Sequence, residues 1–152
     1  MIATGGLFAA TAALPISGVI GASTTVTFSV ISVADLTLDS ASEIVRALGD
    51  LTENSNSDTG YTLTATSTNG AAALAATGIL EGDIVANTDT VTYTISYGGV
   101  AKAFVNGVSS LKDTASASGG DIVTEITITY TSSGALTADT YRDTITFTIT
   151  AQ

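Results

Sequence analysis

The chain of 152 residues contains no cysteine, no histidine, no tryptophan, a single proline and only four basic residues. Histidine and cysteine supply most of the general bases, thiol nucleophiles and soft metal ligands that proteins use. Their absence argues against most enzyme chemistry. We therefore expect no catalytic residue, no metal site and no cofactor.

The few charges present are mostly negative. Fourteen acidic residues against four basic ones give a net charge of −10 and an isoelectric point of about 4.1. Such a field repels nucleic acid and anionic lipid. A membrane span needs about 20 continuous apolar residues, and Thr11, Pro15 and Ser17 interrupt the apolar N-terminal region. We expect neither a nucleic-acid partner nor membrane insertion.

The remaining composition is that of a packed domain. Hydrophobic residues make up 45% of the chain and charged residues only 12%, which is the reverse of a disordered acidic segment. Threonine is the commonest residue, and its β-branched side chain favours strands. A surface that is rich in hydroxyl groups and poor in charge favours coverage by neighbouring copies.

Apolar and polar residues alternate along several segments, which is the pattern of half-buried strands. The first of these strands directs Val26, Phe28 and Val30 to one face, and the last directs Ile145, Phe147 and Ile149. Clusters such as Asn69-Gly70 and Asn106-Gly107 separate the segments, and Asn-Gly pairs favour tight hairpin turns. The sequence predicts an all-β fold, an antiparallel sandwich of immunoglobulin type with about seven strands.

The last predicted strand has an unprotected edge. It runs to the end of the sequence with Ile145, Phe147 and Ile149 on one face, and it carries no charge and no proline over these positions. Natural sheets usually protect an edge with such residues. We therefore expect this strand to border a groove that accepts another strand, although cover by an internal strand is the ordinary alternative.

Residues 1–20 form an apolar N-terminal extension, and residues 21–152 form the predicted domain. Strand addition between copies would bury both the extension and the open edge. Pro15 cannot donate to a strand ladder, so the inserted part lies either before or after it. The candidate donor-strand residues are Phe8, Ala10, Ala12, Leu14, Ile16, Gly18 and Ile20.

Five segments of the sequence are distinctive when taken together. They are residues 51–56 (LTENSN), 60–64 (GYTLT), 68–70 (TNG), 90–99 (TVTYTISYGG) and 141–149 (YRDTITFTI). These segments resemble the major subunits of bacterial chaperone–usher pili, in particular the archaic, spore-coat-protein-U-like branch. The likeness covers roughly residues 12–152 and rests on Thr-rich strands that are moderately specific.

The resemblance implies an incomplete immunoglobulin-like fold that lacks its last strand and accepts the N-terminal strand of the next subunit. It also implies a periplasmic chaperone and an outer-membrane usher during assembly, and an extracellular surface fimbrium as the product. The sequence departs from the family in two respects. The Cys pair of many members is absent, and Asp139-Thr140-Tyr141 stands where Gly-Thr-Tyr is commoner.

Three functions fit these observations. The leading hypothesis is a structural pilus subunit that polymerises with copies of itself and supports adhesion and biofilm formation. The second is a secreted monomeric carbohydrate-binding or adhesin module, for which exposed aromatic residues on a concave face would be expected. The third is a viral decoration or surface-layer protein, which would self-associate without an inserted arm.

Overall fold

The computed structural model describes residues 17–30 and 36–152, and this part of the chain consists mainly of strands in two antiparallel sheets. The alternation of apolar residues with threonine explains the architecture, since successive side chains of a strand point to opposite faces. The prediction of an all-β fold is confirmed. No helix among the described residues is both long enough and apolar enough to cross a membrane.

In the described part of the chain, seven strands form the first sheet, in the order β1-β2-β9-β5-β4-β10 with β6 paired to β5. Numbered in chain order, these strands are β1 (Thr24–Val30), β2 (Glu43–Ser55), β4 (Gly78–Gly82), β5 (Thr90–Tyr97), β6 (Val100–Lys102), β9 (Ile122–Thr131) and β10 (Tyr141–Arg142).

The second sheet has four described strands in the order β11-β3-β8-β7. These strands are β3 (Tyr61–Ser67), β7 (Phe104–Val105), β8 (Val108–Ala115) and β11 (Ile145–Ala151). β11 pairs with β3 over seven consecutive residue pairs without a register shift, whereas the β3–β8 ladder contains two irregularities.

A short helix, α1 (Thr68–Ala72), follows β3. The Ser67 side chain caps it by accepting a hydrogen bond from the Gly70 nitrogen at 2.9 Å. The Asn69-Gly70 pair therefore begins a helix, and its prediction as a hairpin turn is wrong. Asn106-Gly107 does form the tight turn between β7 and β8, with positive φ at both residues.

The inner faces of the two sheets enclose an apolar core. Its buried side chains come mainly from the middle strands of each sheet, where neighbours cover them on both sides. The buried hydrophobic residues of this cluster are Leu51, Leu63, Ala65, Leu80, Val91, Tyr93, Ile95, Phe104, Leu111, Ile126, Ile128 and Tyr130.

The two ends of the molecule can be defined from the strand ladders and hydrogen bonds. At one end, here named the base, Asn56 donates to the Ser23 carbonyl and Gln152 donates to the Gly60 carbonyl. At the other end, named the top, the Thr68 nitrogen donates to the Thr144 carbonyl beside α1. β1 therefore runs from base to top, and β11 runs from top to base.

Candidate functional site

Two edge strands lie on the same side of the molecule. Among the described residues, β1 pairs only with β2, and β11 pairs only with β3. The rings of Phe28 in β1 and Phe147 in β11 face each other with centroids 5.0 Å apart. The two sheets are thus in contact at this side, but no ladder between described strands joins them there. We call this side the open side.

A groove, named here the edge groove, opens between the two sheets beside Phe28 and the start of β11, with a cavity of about 590 Å³. Both sheets contribute to its walls, and the surface is predominantly apolar. The lining residues are Phe28, Leu36, Leu48, Leu80, Tyr93, Ile128, Thr140, Tyr141, Arg142, Asp143, Thr144, Ile145 and Phe147. An apolar cleft of this shape can hold an extended apolar segment.

The inward-facing side chains of β11 are incompletely covered. Ile145, Phe147 and Ile149 are half-buried, although they pack against the core. Their neighbours Leu63 and Ala65 in β3, which point to the same interior, are fully buried. Both strands belong to one sheet, but among the described residues β3 has a strand on each side and β11 has one only.

Neither edge carries the usual protection against pairing. The seven residues of β1 (TTVTFSV) and the seven of β11 (ITFTITA) contain no charged residue and no proline. Flat, uncharged edges with free backbone groups are templates for strand addition. Among the described residues, β1 and β11 thus have no strand partner on their outer edges, and the apolar edge groove lies beside them.

Asp143 fixes the upper rim of the edge groove. Its Oδ2 atom accepts hydrogen bonds of 2.5 Å from both the Ser67 and Tyr93 hydroxyls, and its Oδ1 atom accepts one of 3.1 Å from the Asn69 nitrogen. Burial raises the pKa of the Tyr93 hydroxyl, and the hydrogen bond to Asp143 raises it further. This network holds the start of β11 against α1 and β5.

A second polar cluster lies inside the molecule, between the sheets. The fully buried carboxylate of Glu53 in β2 forms an ion pair with Lys112 in β8. Glu53 Oε1 also accepts a 2.5 Å hydrogen bond from the Tyr97 hydroxyl, and Lys112 Nζ lies 3.3 Å from the Tyr61 hydroxyl. Glu53 Oε2 has no hydrogen-bond partner among the described residues.

The pKa shifts agree with a stabilised ion pair. Burial by itself lowers the pKa of Lys112, but hydrogen bonds to Glu53 and the two tyrosines outweigh it and raise the pKa overall. Burial raises the pKa of Tyr97, as does its hydrogen bond to Glu53. The cluster connects the two sheets, and we assign it a structural role.

The other acidic residues in the described part of the chain form no recognisable metal site. Within residues 17–30 and 36–152, no three histidine, cysteine, aspartate or glutamate side chains are grouped as metal ligands would be. Asp139 near the top accepts hydrogen bonds from Asn87 and from the Ile84 nitrogen, so its oxygens serve a loop. The hydrogen bond from Asn87 is the main reason why its pKa is lowered.

The predicted acceptor residues lie where the edge groove is. Ile145 and Phe147 line it, and Ile149 continues their row toward the base. Val26 and Phe28 in β1 pack against the core from the opposite border. The prediction that Val30 belongs to the first core strand is wrong, because Val30 is 59% exposed at the end of β1.

Only some of the predicted donor-strand residues lie in the part of the chain that the structure describes. Phe8, Ala10, Ala12, Leu14 and Ile16 lie outside the described residues. Gly18 and Ile20 are described and exposed, in a segment without regular structure that leads to β1 at the base. Asn56 fixes the end of this segment, because its side chain donates to the Gly21 carbonyl and accepts from the Ser23 nitrogen.

Several groove residues were not predicted. Leu36, Leu48, Leu80 and Tyr141 come from segments whose alternation is weak or short. One feature of the sequence could have drawn attention to Asp143: it is a charged residue immediately before the alternating residues of β11.

Comparison with known proteins adds no relative. No protein-family model matches the sequence, and no curated protein shows significant similarity to it. The argument for function therefore rests on the edge groove and on the residues of the chain itself.

Proposed function

We propose that this protein is a structural subunit of a bacterial surface pilus that polymerises by donor-strand exchange and supports adhesion and biofilm formation. The observation that carries the proposal is the apolar edge groove, which lies beside the uncharged strand β11. Phe28, Ile145 and Phe147 line it and are only half-buried, which is expected of a site for one further strand.

The occupant proposed is the N-terminal extension of another copy. Its uncharged, apolar residues match a groove whose interior is apolar. A strand inserted there pairs with the free backbone groups of β11 and covers its inward face. Insertion completes the fold, which in this proposal is an immunoglobulin-like sandwich that lacks its last strand.

The inserted part lies before Pro15. Residues 21–23 are held at the base of their own subunit by Asn56, so the segment just before them serves as a linker. Residues 8–14 provide seven positions, the same length as β11, with Phe8, Ala10, Ala12 and Leu14 on one face. Pro15, which cannot donate a backbone hydrogen bond, then follows the inserted strand.

Strand direction gives the fibre its polarity. An arm antiparallel to β11 enters the groove at the base and leaves it at the top. Because every arm starts from the base of its own subunit, the base of one copy then lies on the top of the next. Repetition of this contact produces an open, head-to-tail chain.

Before assembly, the apolar groove needs temporary cover. Resemblance to chaperone–usher subunits supplies the candidates, namely a periplasmic chaperone that fills the groove and an outer-membrane usher where the exchange occurs. The site of function is then an extracellular fimbrium, reached through the periplasm.

A fusion experiment tests the proposal. A copy of residues 4–20, attached through a short flexible linker after Gln152, starts at the base and runs antiparallel to β11, as the proposed donor does. Its effective concentration is in the millimolar range, so it outcompetes the arm of a neighbour. We expect a cooperative monomer with a higher melting temperature than the unfused chain released from its chaperone.

The matched control carries Phe8→Asp and Leu14→Asp in the appended copy only. It has the same length but cannot place two apolar side chains in the groove, so it should still polymerise through its native arm. Polymerisation of the first fusion, or a monomeric second fusion, would contradict donor-strand completion.

A further inference from the structure

An exposed apolar patch lies at the top, outside the edge groove. It consists of Leu74, Val105 and Val108, and we call it the top patch. Leu74 and Val105 are each 70% exposed. Val105 and Val108 are paired across the β7–β8 turn, and Leu74 precedes Ala75, whose carbonyl accepts a 2.7 Å hydrogen bond from the Gly107 nitrogen.

Leu74 adopts an unfavourable backbone conformation. Its φ angle is +51°, in the left-handed region where a side chain meets the backbone and where glycine or asparagine is usual. The side chain gains little packing within the subunit in return, since it is mostly exposed. This conformation closes the C-terminal end of α1, since the Leu74 nitrogen donates to the Ala71 carbonyl and the Ala75 nitrogen donates to the Gly70 carbonyl. Glycine usually occupies such a position, so a leucine there leaves an apolar side chain exposed at the top.

The top patch has a firm support. Gly107 packs directly on α1, so closely that an added Cβ atom would collide with the backbone nitrogen of Ala71. The Gly107 carbonyl also accepts a hydrogen bond from the Ser67 nitrogen. The turn, the helix and the end of β3 are therefore tied together, and the patch is formed before any partner binds.

A complementary apolar group lies at the opposite end. Val19 and Ile20 are almost completely exposed in the segment that leads to β1 at the base. Asn56 fixes the chain immediately after them. The molecule thus has exposed aliphatic side chains on both ends along the direction of β1, and one set lies on the segment that precedes the domain.

We propose that the top patch is a second contact between copies, and that it receives Val19 and Ile20 of the next subunit. This inference rests on the proposed function, which places the base of one copy on the top of another. The contact lies beyond the groove and fixes the angle between successive subunits, which a strand followed by a free linker would leave variable.

The chain length permits this contact. Val19 follows Leu14 by five residues, which span at most roughly 17 Å when extended. An arm paired with the outer edge of β11 is three strand spacings from β8 and four from β7, or about 14 and 19 Å. An arm that leaves the groove at Leu14 can therefore bring Val19 to β8, and Ile20, which is one residue further and within roughly 20 Å, to β7.

Disulfide trapping tests the contact directly, because the natural chain has no cysteine. In filaments of the Leu74→Cys/Ile20→Cys variant, mild oxidation should link successive copies into a ladder that only a reductant removes. The matched control is Val123→Cys/Ile20→Cys, since Val123 is similarly exposed but lies on the outer face of β9. Equal cross-linking in both variants would overturn the inference.

Charge substitution provides a second measurement. Leu74→Asp/Val105→Asp should keep the oligomer ladder that survives detergent without heating, because the inserted strands remain, but its filaments should lose their regular repeat in electron micrographs. Val45→Asp/Val123→Asp adds the same charge at positions that are 64% and 61% exposed and should keep the repeat. A regular repeat in both variants would overturn the top contact alone.

A glycine substitution separates a structural role of Leu74 within the subunit from the proposed contact between copies. Leu74→Gly relieves the positive φ angle, so we expect an equally or more stable subunit whose filaments nevertheless lose regularity. A less stable Leu74→Gly subunit with regular filaments would overturn the inference.

Absence of the detergent-resistant ladder in the unaltered protein would overturn donor-strand exchange, and this contact with it.

Discussion

Two neighbouring strands of the second sheet, β3 and β11, have similar sequences, but their inward side chains differ in burial. In the interior of the second sheet, β3 places Leu63 and Ala65 completely out of solvent. One strand away, β11 places Ile149 and Phe147 directly opposite them, and both remain half-buried. Residue type and alternation are alike, so the position of a strand in the sheet, and not its sequence, determines how much burial it obtains.

The largest expected effect concerns the covered interior. Lys112→Met removes the partner of a fully buried carboxylate, and breaking a buried ion pair in this way typically costs about 3–5 kcal/mol. We expect a loss of that size in the free energy of unfolding, measured by urea denaturation. The double variant Glu53→Gln/Lys112→Met should recover a large part of it, since no uncompensated charge remains. A double variant as unstable as the single one would show that packing, and not charge, dominates there.

The same cluster predicts an alkaline transition. Folding raises the pKa of Lys112 and of Tyr97, whose ordinary values are 10.5 and 10.0. The stability gained from a raised pKa is complete below the ordinary value and is lost as the pH rises through the folded one. We therefore expect the melting temperature to fall above about pH 10, and less steeply in Glu53→Gln/Lys112→Met. Parallel pH profiles for the two proteins would contradict this assignment.

One pair of facing residues can measure how burial differs between the inner strand β3 and the edge strand β11. Leu63→Ala removes a fully buried side chain and should cost about 3 kcal/mol, whereas Ile149→Ala, directly across the ladder, should cost only about 1 kcal/mol in the unassembled subunit. In the fusion with the appended strand, the two costs should converge. Equal costs in the unassembled subunit would mean that β11 is already covered.

A modest effect is expected at the rim of the edge groove. Asp143→Asn places an amide where two hydroxyls and two backbone nitrogens now donate, so at least one donor loses its acceptor. We expect a loss of about 1–2 kcal/mol, seen in thermal unfolding, and a faster hydrogen exchange at the start of β11. Asp113→Asn, on an exposed carboxylate, serves as the control and should have little effect.

Much of the fold follows from alternation alone. The rows Val26–Phe28 and Ile145–Phe147–Ile149 identified two strands and their inward faces, because a period of two needs only local information. The pairing of strands is different, since it depends on contacts between distant segments. Nothing local distinguishes β3 from β11, although among the described strands β3 has a neighbour on both sides and β11 has one.

The errors have physical causes. Asn69-Gly70 began a helix because Ser67, two residues earlier, offered a capping oxygen that outweighed the turn preference of the pair. Val30 continued the apolar row of β1 but lies at its end, opposite Gly49, which has no side chain to cover it. The ion pair of Glu53 and Lys112 joins residues 59 positions apart. Its only local signal was a glutamate in phase with Leu51 on an inward face.

The unbroken ladder between β3 and β11 has a mechanical consequence. In the proposed fibre, tension enters through the inserted arm and runs parallel to β11, so it loads the seven paired positions of β11 and β3 in shear. Hydrogen bonds loaded in shear share the force and must yield together, whereas bonds that are peeled apart fail one after another. Because no bulge interrupts this ladder, it has no weak point at which rupture would begin.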